Sequence, residues 1–592
     1  MKTHIEHQKL IAYFQNIPWM LNYQIVSTLI LFVIFEFVHW IAMVLIYSTG
    51  RVAVTNSDLK LVVTTWQGWA FFAIFLVSVF FSVAFNLNGM IILADKAIKN
   101  EPINIFKALK DALFSIKKFL NKDGILFCIY VAIGTPLIGV GIKIKQTENF
   151  RIPDFITSII YSRVEYTVLY FIGILLLAWY GIRHIFLIPG VVLDNKTIND
   201  AIRDGKVMIR KNKWHFLFRF TVLIIQTSIV IFFAYLGFEY LPIIARPIIG
   251  LSKMASRFTM LFIYYICFFY VGIISLMLMP INITELTRLY CCYRDKKHIL
   301  LEVKKHRRSN PELIIMFSIF IIAATIAAVA AQHFDLFYPA SKDVKIIAHR
   351  LGGYEAAENS LTGLEKSIKD GAYGYETDVQ RSKDGVYVIN HDYSFFRTCG
   401  DSRAVSDITW KEIEKLRMTN PDGTKEAPPS LEQVLDKAKG NGILYIELKG
   451  NTADEKMCDD VVSMIEEKGM EKQCVILSLK YNLIQYIYRK YHKIKVGFLY
   501  FFSYGDVATL DSDILVMEED SASADAINTI HAVLKKAIVW TVDTNSSAEE
   551  FLNSNADAVI TDNVKMCKRV QKKLSKRSDY ERVFDSLEIL EQ

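Results

Sequence analysis

The pattern of hydrophobic positions divides the chain into two halves. Up to about residue 338, long apolar runs alternate with short basic segments, and beyond it the apolar runs shorten to strand length. A helix needs about twenty apolar residues to cross the hydrocarbon core of a bilayer. Seven runs have about that length, namely Tyr23–Leu45, Trp66–Ile91, Gly124–Ile142, Tyr166–Ile182, Phe220–Phe238, Phe258–Met279 and Leu313–Ala331. We therefore predict a membrane domain over residues 1–338 with about seven transmembrane helices.

The second half alternates between strand-like and helix-like segments. Eight runs rich in β-branched or aromatic residues occur within about 250 residues, which is the usual size of a (β/α)8 barrel. These runs are Lys345–Ala348, Tyr373–Val379, Ile443–Leu448, Cys474–Leu479, Lys495–Leu499, Asp513–Glu518, Ala537–Val542 and Asp557–Thr561. The pattern predicts an α/β TIM barrel over residues 339–575, followed by a C-terminal tail over residues 576–592.

A ninth short run, Val386–Asn390, interrupts the βα alternation. It follows Asp384-Gly385, and Asp-Gly is a strong signal for a hairpin turn. We expect this run to return antiparallel to the second strand and to bring His391 to the rim of the barrel.

Basic residues are concentrated in alternate connections of the first half. The second, fourth and sixth connections carry seven, eight and eight Lys and Arg residues, and the other three carry two to four. Connections rich in Lys and Arg remain cytoplasmic. The count places the N-terminus in the cytoplasm and, after an odd number of spans, the barrel outside the cell. The protein is thus expected to be a multi-pass protein of the cell membrane.

The charge distribution and the cysteine content argue against several classes of protein. The formal net charge is +7, made up of −8 over residues 341–592 and +15 over residues 1–340. The basic residues lie between apolar runs, which favours membrane orientation over nucleic-acid binding. Eight cysteines are scattered without any Cys-x-x-Cys pair, so neither a zinc site nor a dense disulfide framework is supported.

Acidic side chains lie near the ends of two predicted strands. Glu376 and Asp378 are two residues apart and share one face of their strand. Glu447 is near the end of the next strand of the barrel. Three converging carboxylates would repel one another unless a cation joined them, and oxygen ligands of this kind select Ca²⁺ or Mg²⁺. The sequence predicts one divalent cation at this place, with pairing of the carboxylates to Lys or Arg as the alternative.

Two histidines, His349 and His391, follow apolar runs of the second half. A pair of histidines can act in turn as general base and general acid near neutral pH. Arg350 and Lys449 add positive charge for an anionic substrate, and Trp540 is a candidate for lining the pocket. A divalent cation, two histidines and two cationic side chains together suit a phosphate ester.

These motifs resemble those of the glycerophosphodiester phosphodiesterase family. The elements that carry the resemblance are His349-Arg350, Glu358-Asn359-Ser360, Glu376-Thr377-Asp378-Val379, Lys383-Asp384-Gly385, His391-Asp392, Glu447-Leu448-Lys449 and Thr561-Asp562. They cover about residues 344–570 in the family's order. The multi-span region before them is similar to the membrane domain of some bacterial members.

The resemblance implies a TIM-barrel fold and the cleavage of glycerophosphodiesters to glycerol phosphate and an alcohol. It implies that His349 and His391 are the general acid and base, without deciding which is which. It further implies that the metal is held by three carboxylates, with Glu358 close by, and that two cationic residues bind phosphate. The metal ligands implied are Glu376, Asp378 and Glu447, and the phosphate-binding residues are Arg350 and Lys449.

The chain departs from the family pattern at three positions. Leu351 stands where the family has glycine after His-Arg, Ala357 replaces proline and Ser360 replaces threonine. Glycine tolerates backbone angles that leucine does not. We therefore expect the turn behind His349 to be reshaped.

The leading hypothesis is a membrane-anchored, metal-dependent phosphodiesterase. Its substrate could be a small diester from a lipid headgroup, a lysophospholipid or a teichoic-acid-like glycerol-phosphate polymer. The alternatives are a transporter or a scaffold membrane protein whose barrel only binds. The retained histidines and carboxylates argue against both alternatives, and the sequence leaves the oligomeric state open.

Overall fold

The computed structural model describes residues 2–121, 163–245, 252–296, 311–340 and 342–583, with residues 124, 160 and 161. The chain forms two compact units. The first contains the described residues within Met1–Ala42, Trp69–Thr147 and Thr157–Phe337, and the second contains those within Met43–Gly68 and Tyr338–Gln592. The second unit therefore contains the barrel region together with a segment from the first half of the chain.

Helices make up nearly all of the first half. The described helices are α1 (Lys2–Ser48), α2 (Leu59–Thr64), α3 (Trp66–Ile98), α4 (Ile105–Ile116), α5 (Val164–Arg183), α6 (Leu187–Asp194), α7 (Ile198–Lys211), α8 (Lys213–Ala245), α9 (Lys253–Asp295), α10 (Pro311–Gln332) and α11 (Phe334–Phe337). Among the described residues, five stretches are long and apolar enough to cross a membrane, namely Pro18–Ser48, Trp66–Ile98, Val164–Asp194, Lys213–Gly237 and Lys253–Asp295.

Five of the seven predicted runs fall in these candidate spans. The run Leu313–Ala331 lies within α10, where Phe317–Gln332 is a shorter apolar helix. The run Gly124–Ile142 lies outside the described residues after its first position. A helical, multi-span first half is thus confirmed, and the total of seven spans stays a prediction.

Helices α1 and α3 approach closely because a glycine faces a tyrosine. The Tyr23 hydroxyl donates to the main-chain oxygen of Phe85 at 2.8 Å, and Ser27 donates to Asn86 Oδ1 at 2.7 Å. A Cβ atom on Gly89 would lie only 1.9 Å from the Tyr23 hydroxyl. Small residues and side-chain hydrogen bonds are the usual means by which helices pack inside a bilayer.

Eight parallel strands of the second unit close into a ring. All strands of the chain's described part are β1 (Ala53–Thr55), β2 (Lys345–Ala348), β3 (Gly374–Arg381), β4 (Tyr387–Ile389), β5 (Met418–Thr419), β6 (Lys425–Glu426), β7 (Ile443–Leu448), β8 (Cys474–Ser478), β9 (Lys495–Tyr500), β10 (Ser503–Gly505), β11 (Ile514–Glu518), β12 (Lys536–Trp540) and β13 (Ala558–Thr561). The ring runs β2-β3-β7-β8-β9-β11-β12-β13 and closes from β13 to β2. The predicted TIM barrel is confirmed.

The helices of the barrel follow its strands. They are α12 (Leu361–Lys369), α13 (Phe396–Cys399), α14 (Trp410–Ile413), α15 (Leu431–Ala438), α16 (Glu455–Glu467), α17 (Tyr481–Lys490), α18 (Ala524–Ala532), α19 (Asn545–Phe551) and α20 (Val564–Leu574). Ser360 caps α12 by accepting from the main-chain nitrogen of Gly363 at 2.9 Å. Serine in place of the family's threonine therefore keeps a capping hydroxyl.

The ninth run forms the expected hairpin. β4 pairs antiparallel with β3, with Val379 opposite Ile389. The turn between them uses Gly385 at φ +89°, a left-handed conformation that glycine adopts readily. The chain then continues from β4 directly into His391, so the hairpin brings this histidine to the carboxyl ends of the strands.

Candidate active site

Strand alternation places the acidic side chains inside the ring. Tyr375 and Val379 of β3 belong to the apolar layer between the strands and the outer helices, so Glu376 and Asp378 face the opposite way. Asp378 lies opposite Glu447 of β7 in the parallel register. One oxygen from each of the three carboxylates lies within 4.8 Å of the others, and the three residues are 4, 1 and 6% exposed.

Neighbouring groups satisfy most, but not all, of these oxygens. Lys449 Nζ lies 2.9 Å from Asp378 Oδ1 and 3.2 Å from Glu447 Oε2. Asn359 Nδ2 donates to Asp378 Oδ2 at 2.8 Å. Glu447 Oε1 is buried and has no hydrogen-bond partner. Lys449 therefore provides part of the pairing between carboxylates and basic side chains that was the alternative to a metal site. Glu447 Oε1 nevertheless remains available to a further cation.

The three carboxyl groups differ in how strongly they hold a proton. Burial, followed by the charge of Asp378, raises the pKa of Glu376 to about 8. Burial also raises the pKa of Glu447. It acts on Asp378 in the same direction, but Lys449 and the nearby His391 together hold the pKa of Asp378 far below its ordinary value. Buried like charges of this kind favour either protonation or a bound cation. The donor set, three hard oxygen ligands with one left unpaired, fits Ca²⁺ or Mg²⁺.

His349 begins a single 3₁₀ turn after β2 and is oriented by an aspartate from the end of β13. Its Nδ1 lies 2.9 Å from Asp562 Oδ1, and its Nε2 lies 3.9 Å from Glu376 Oε2. Burial alone would lower the pKa of His349, but Asp562 and then Glu376 raise it to about 9. These two carboxylates therefore favour the imidazolium form of His349, whose Nε2 faces Glu376.

His391 follows β4 and has a partner of the same kind. Its Nδ1 lies 2.8 Å from Asp392 Oδ1. Burial, reinforced by Lys449 and Arg350, lowers the pKa of His391 although Asp378 opposes the shift. The pKa values of the two histidines are thus shifted in opposite directions. The shift favours the imidazolium form of His349 and the neutral form of His391.

Arg350 has an unused donor aimed among these groups. Its main-chain nitrogen donates to Glu376 Oε2 at 2.9 Å, and its Nη1 lies 3.2 Å from Glu358 Oε2. Its Nε is buried without a hydrogen-bond partner, 3.9 Å from Asp378 Oδ2. An unpaired guanidinium N–H of this kind can donate to a phosphate oxygen.

Glu358 lies between two arginines. Arg397 donates to its two carboxylate oxygens at 2.5 and 2.6 Å and to Asp392 Oδ2 at 2.8 Å. Arg397 thereby connects the segment after His349 with the aspartate that orients His391. Glu358 stands outside the group of three close carboxylates. Its expected place near the metal stays a prediction, and its observed contacts are with arginines.

The turn behind His349 has a left-handed backbone at Leu351. Leu351 has φ +66° and its side chain is fully buried. Leucine rarely adopts such a conformation, so packing must compensate for the strain. Gly353 follows at φ +48°, and a Cβ there would lie 2.0 Å from the main-chain oxygen of Asp562. The turn is thus left-handed and close to Asp562, and the expectation that Leu351 reshapes it stays a prediction.

Trp540 ends β12 on the inner side of the ring. It is partly buried against the apolar cluster inside the barrel, and its Nε1 donates to the main-chain oxygen of Val516 at 3.3 Å. Its position at the carboxyl end of a strand is where a TIM barrel places its active site. Contact with a substrate stays a prediction.

Sequence reasoning assigned no role to several groups that orient the site. Asn359 donates to Asp378, Asp562 and Asp392 hold the histidines, and Arg397 connects two segments. Asn359 and the two aspartates belong to the sequence motifs given above. Their position next to candidate site residues could have indicated a role in the site. Arg397 carried no such signal, because only the folded chain brings it to Glu358.

Both halves of the chain match known families. Residues 11–328 match the family described as "Membrane domain of glycerophosphoryl diester phosphodiesterase", and residues 349–566 match the "Glycerophosphoryl diester phosphodiesterase family". The first match alone covers more than half of the chain. Fold and sequence together define a multi-pass membrane protein with a TIM-barrel phosphodiesterase domain.

Two named relatives match part of the chain. The glycerophosphodiester phosphodiesterase of Caldanaerobacter subterraneus subsp. tengcongensis is 29% identical over 229 residues, which is 37% of this chain and 93% of that protein. Glycerophosphodiester phosphodiesterase 1 of Mus musculus is 32% identical over 114 residues, which is 18% of this chain and 34% of that protein.

One solved structure resembles part of the chain. An Oleispira antarctica phosphodiesterase in complex with its product sn-glycerol-3-phosphate is 21% identical, with a TM-score of 0.36, and covers 40% of this chain and 99% of that one. From the matched families, the chain belongs to the glycerophosphoryl diester phosphodiesterases with an N-terminal membrane domain. The predicted class of enzyme, a glycerophosphodiester phosphodiesterase, is thus confirmed.

Replacement of Glu447 by Gln tests the site as a cation site. We expect Glu447→Gln to weaken the binding of Ca²⁺ or Mg²⁺ to the purified full-length protein by at least about tenfold, since even outer-shell groups contribute that much. Calorimetric titration of each cation measures the effect. Glu467→Gln, at an exposed position of the same barrel, is the matched control and should bind like wild type. Equal affinity of Glu447→Gln and wild type would remove this carboxylate from the cation site.

Proposed function

We propose that the barrel hydrolyses glycerophosphodiesters with Glu376, Asp378 and Glu447 holding one divalent cation. The observation that carries this proposal is the unpaired Glu447 Oε1 within a buried group of three carboxylates. A cation held there would supply Lewis-acid stabilisation of the charge that develops on the phosphoryl oxygens. Side chains of the protein itself would bind the phosphate and transfer the protons.

Arg350 and Lys449 are the proposed phosphate-binding residues. The unpaired Arg350 Nε offers a donor among the site carboxylates. Lys449 contacts two of the carboxylates through its ammonium, so it also offsets their mutual repulsion. Together they favour an anionic substrate at the carboxyl edge of the barrel and orient its phosphate toward the histidines.

We assign His391 as the first base and His349 as the first acid. The assignment follows from their opposite pKa shifts, because a general base must be neutral and a general acid must carry its proton. Asp562 and Asp392 each accept from Nδ1, which leaves Nε2 of each ring for the substrate.

The proposed reaction has two steps. In the first, the glycerol hydroxyl beside the phosphate attacks phosphorus while His391 takes its proton, and the bond from phosphorus to the alcohol oxygen breaks as His349 protonates that oxygen. The alcohol leaves and a cyclic glycerol phosphate remains. In the second, His349 takes a proton from water as the water attacks phosphorus. The bond from phosphorus to the glycerol oxygen that attacked in the first step breaks, and His391 returns a proton to that oxygen. The products are glycerol phosphate and an alcohol.

The membrane domain favours substrates found at a membrane. A lysophospholipid or a teichoic-acid-like glycerol-phosphate polymer would use an anchored enzyme, whereas a soluble enzyme would suffice for free headgroup diesters. The basic connections support a cytoplasmic N-terminus and a barrel outside the cell. This placement would give the barrel access to cell-wall polymers and to the outer leaflet.

Removal of one histidine tests acid–base catalysis. We expect His391→Ala to lower the turnover of glycerophosphoethanolamine by about two to four orders of magnitude, the usual size of general acid–base effects. Release of glycerol phosphate by the purified full-length protein measures it. His492→Ala, an exposed histidine elsewhere on the barrel, is the control and should retain wild-type turnover. Turnover of His391→Ala at the wild-type rate would exclude this histidine from catalysis.

The pH dependence tests the assignment of acid and base. His349 must be protonated, so the rate should fall as pH rises through its pKa near 9, and His391 must be neutral, so the rate should also fall on the acid side. Asp562→Asn removes the negative charge that stabilises the imidazolium. It should therefore move the alkaline limb to lower pH by about one unit or more.

The acid limb of the same variant is the internal control. This limb reflects the protonation of His391, which is hydrogen-bonded to Asp392 and not to Asp562. Its midpoint should therefore not change when Asp562 is replaced. Movement of the acid limb with an unchanged alkaline limb would reverse the assignment of the two histidines.

A further inference from the structure

The loop between the first two candidate spans is part of the barrel unit. Strand β1 of this loop pairs antiparallel with β10, with Ala53 opposite Gly505 and Thr55 opposite Ser503. The main-chain nitrogen of Asp506 also donates to the oxygen of Val52 at 3.0 Å. The loop thereby adds a strand to the segment that follows β9.

Two side chains of this loop bond to the carboxyl ends of barrel strands. Asn56 Oδ1 accepts from the main-chain nitrogen of Phe501, just after β9, at 3.3 Å. The Ser57 hydroxyl donates to the oxygen of Leu479, just after β8, at 2.5 Å and accepts from the nitrogen of Tyr481 at 3.3 Å. These contacts lie at the end of the strands that carries the catalytic groups.

The same loop is short and joins two candidate spans. One span ends at Ser48 and the next begins at Trp66. Ala53 follows Ser48 by five residues, which can reach at most about 17 Å even when fully extended. A loop of this length that bonds to the carboxyl edge restricts how far this edge can move from the end of the span.

Exposed aromatic residues stand on the loops that carry the histidines. Tyr354 follows His349 and is 64% exposed, and Tyr393 and Phe396 follow His391 and are 63 and 66% exposed. The two loops adjoin, because Arg397 next to Phe396 bonds to Glu358. Aromatic side chains are enriched where a protein meets the interfacial region of a bilayer.

We propose that this aromatic rim, Tyr354, Tyr393 and Phe396, contacts the lipid surface, and that the substrate is a glycerophosphodiester anchored in the bilayer by an acyl chain. This inference rests on the proposed function and names its substrate class. A 1-acyl lysophospholipid keeps the hydroxyl beside the phosphate, which the proposed attack requires. Strand β1 connects this edge to the end of a candidate span through a short stretch of chain. The rim would let a lipid headgroup enter the site without leaving the bilayer.

The test compares two substrates that share one headgroup. Full-length protein reconstituted in phosphatidylglycerol vesicles is assayed with 1-acyl lysophosphatidylethanolamine in the vesicles and with soluble glycerophosphoethanolamine. In the double variant Tyr393→Ser/Phe396→Ser, turnover of the lysolipid should fall by about tenfold or more, because interfacial binding scales with the apolar area inserted. Turnover of the soluble diester should stay within about twofold, since both side chains are mostly exposed and have no proposed part in phosphate binding or proton transfer.

The matched control removes apolar side chains from the opposite end of the barrel. Val533 and Leu534, which precede β12, are 42 and 96% exposed. Val533→Ser/Leu534→Ser should leave both rates at the wild-type level. A second variant, Asn56→Ala/Ser57→Ala, removes the side-chain hydrogen bonds from the loop to the barrel without substituting any barrel residue. It should lower the turnover of the lysolipid and leave the turnover of the soluble diester unchanged.

The outcomes separate this inference from the proposed function. Wild-type protein that cleaves the soluble diester but not the vesicle-borne lysolipid would overturn the lipid substrate and leave the phosphodiesterase proposal standing. Equal lysolipid turnover in wild type and Tyr393→Ser/Phe396→Ser would overturn the role of the rim. Failure of wild type on both substrates would refute the proposed function, and the inference with it.

Discussion

The mutual repulsion of three buried carboxylates is the constraint on which the site depends. Two unit charges about 4 Å apart interact by about 4 kcal/mol at an effective dielectric constant of about 20. The strands leave Glu376, Asp378 and Glu447 no freedom to separate, since strand alternation and the β3–β7 register fix all three inside the ring. The repulsion is relieved by protonation, as the raised pKa of Glu376 indicates, or by positive charge, of which Lys449 supplies part.

The same charges set the chemistry of the histidines. Glu376 and Asp562 stabilise the imidazolium of His349, whereas Lys449 and Arg350 oppose a proton on His391. One arrangement of charges thus gives the two rings different protonation states within one site. General acid and general base can then be present together at the start of the reaction.

Much of this arrangement was predictable from the sequence because it follows local rules. The spacing of Glu376 and Asp378 sets a shared strand face, and the Asp-Gly turn sets the hairpin that delivers His391. The contacts of Arg397 with Glu358 and of Asn56 with Phe501 were not predictable. They join residues far apart in sequence, and no periodicity or turn signal encodes such a pairing.

The left-handed backbone at Leu351 could also not be predicted from local sequence preferences. Leucine at that position favours a different conformation, and only the tertiary packing around its buried side chain maintains the turn. Local preference and the folded structure disagree here, directly beside a catalytic candidate. Strain at such a place is typical of functional sites, where the surrounding structure fixes a geometry that the sequence alone does not favour.

Direct localisation of the cation tests the central claim. The protein would be crystallised with Mn²⁺, and anomalous scattering would locate the ion. The account predicts an anomalous peak within about 2.0–2.6 Å of oxygens from Glu376, Asp378 and Glu447, the range of divalent cation–oxygen distances in proteins. A structure at full Mn²⁺ occupancy with the peak elsewhere, and with these carboxylates paired only to Lys449, would contradict it.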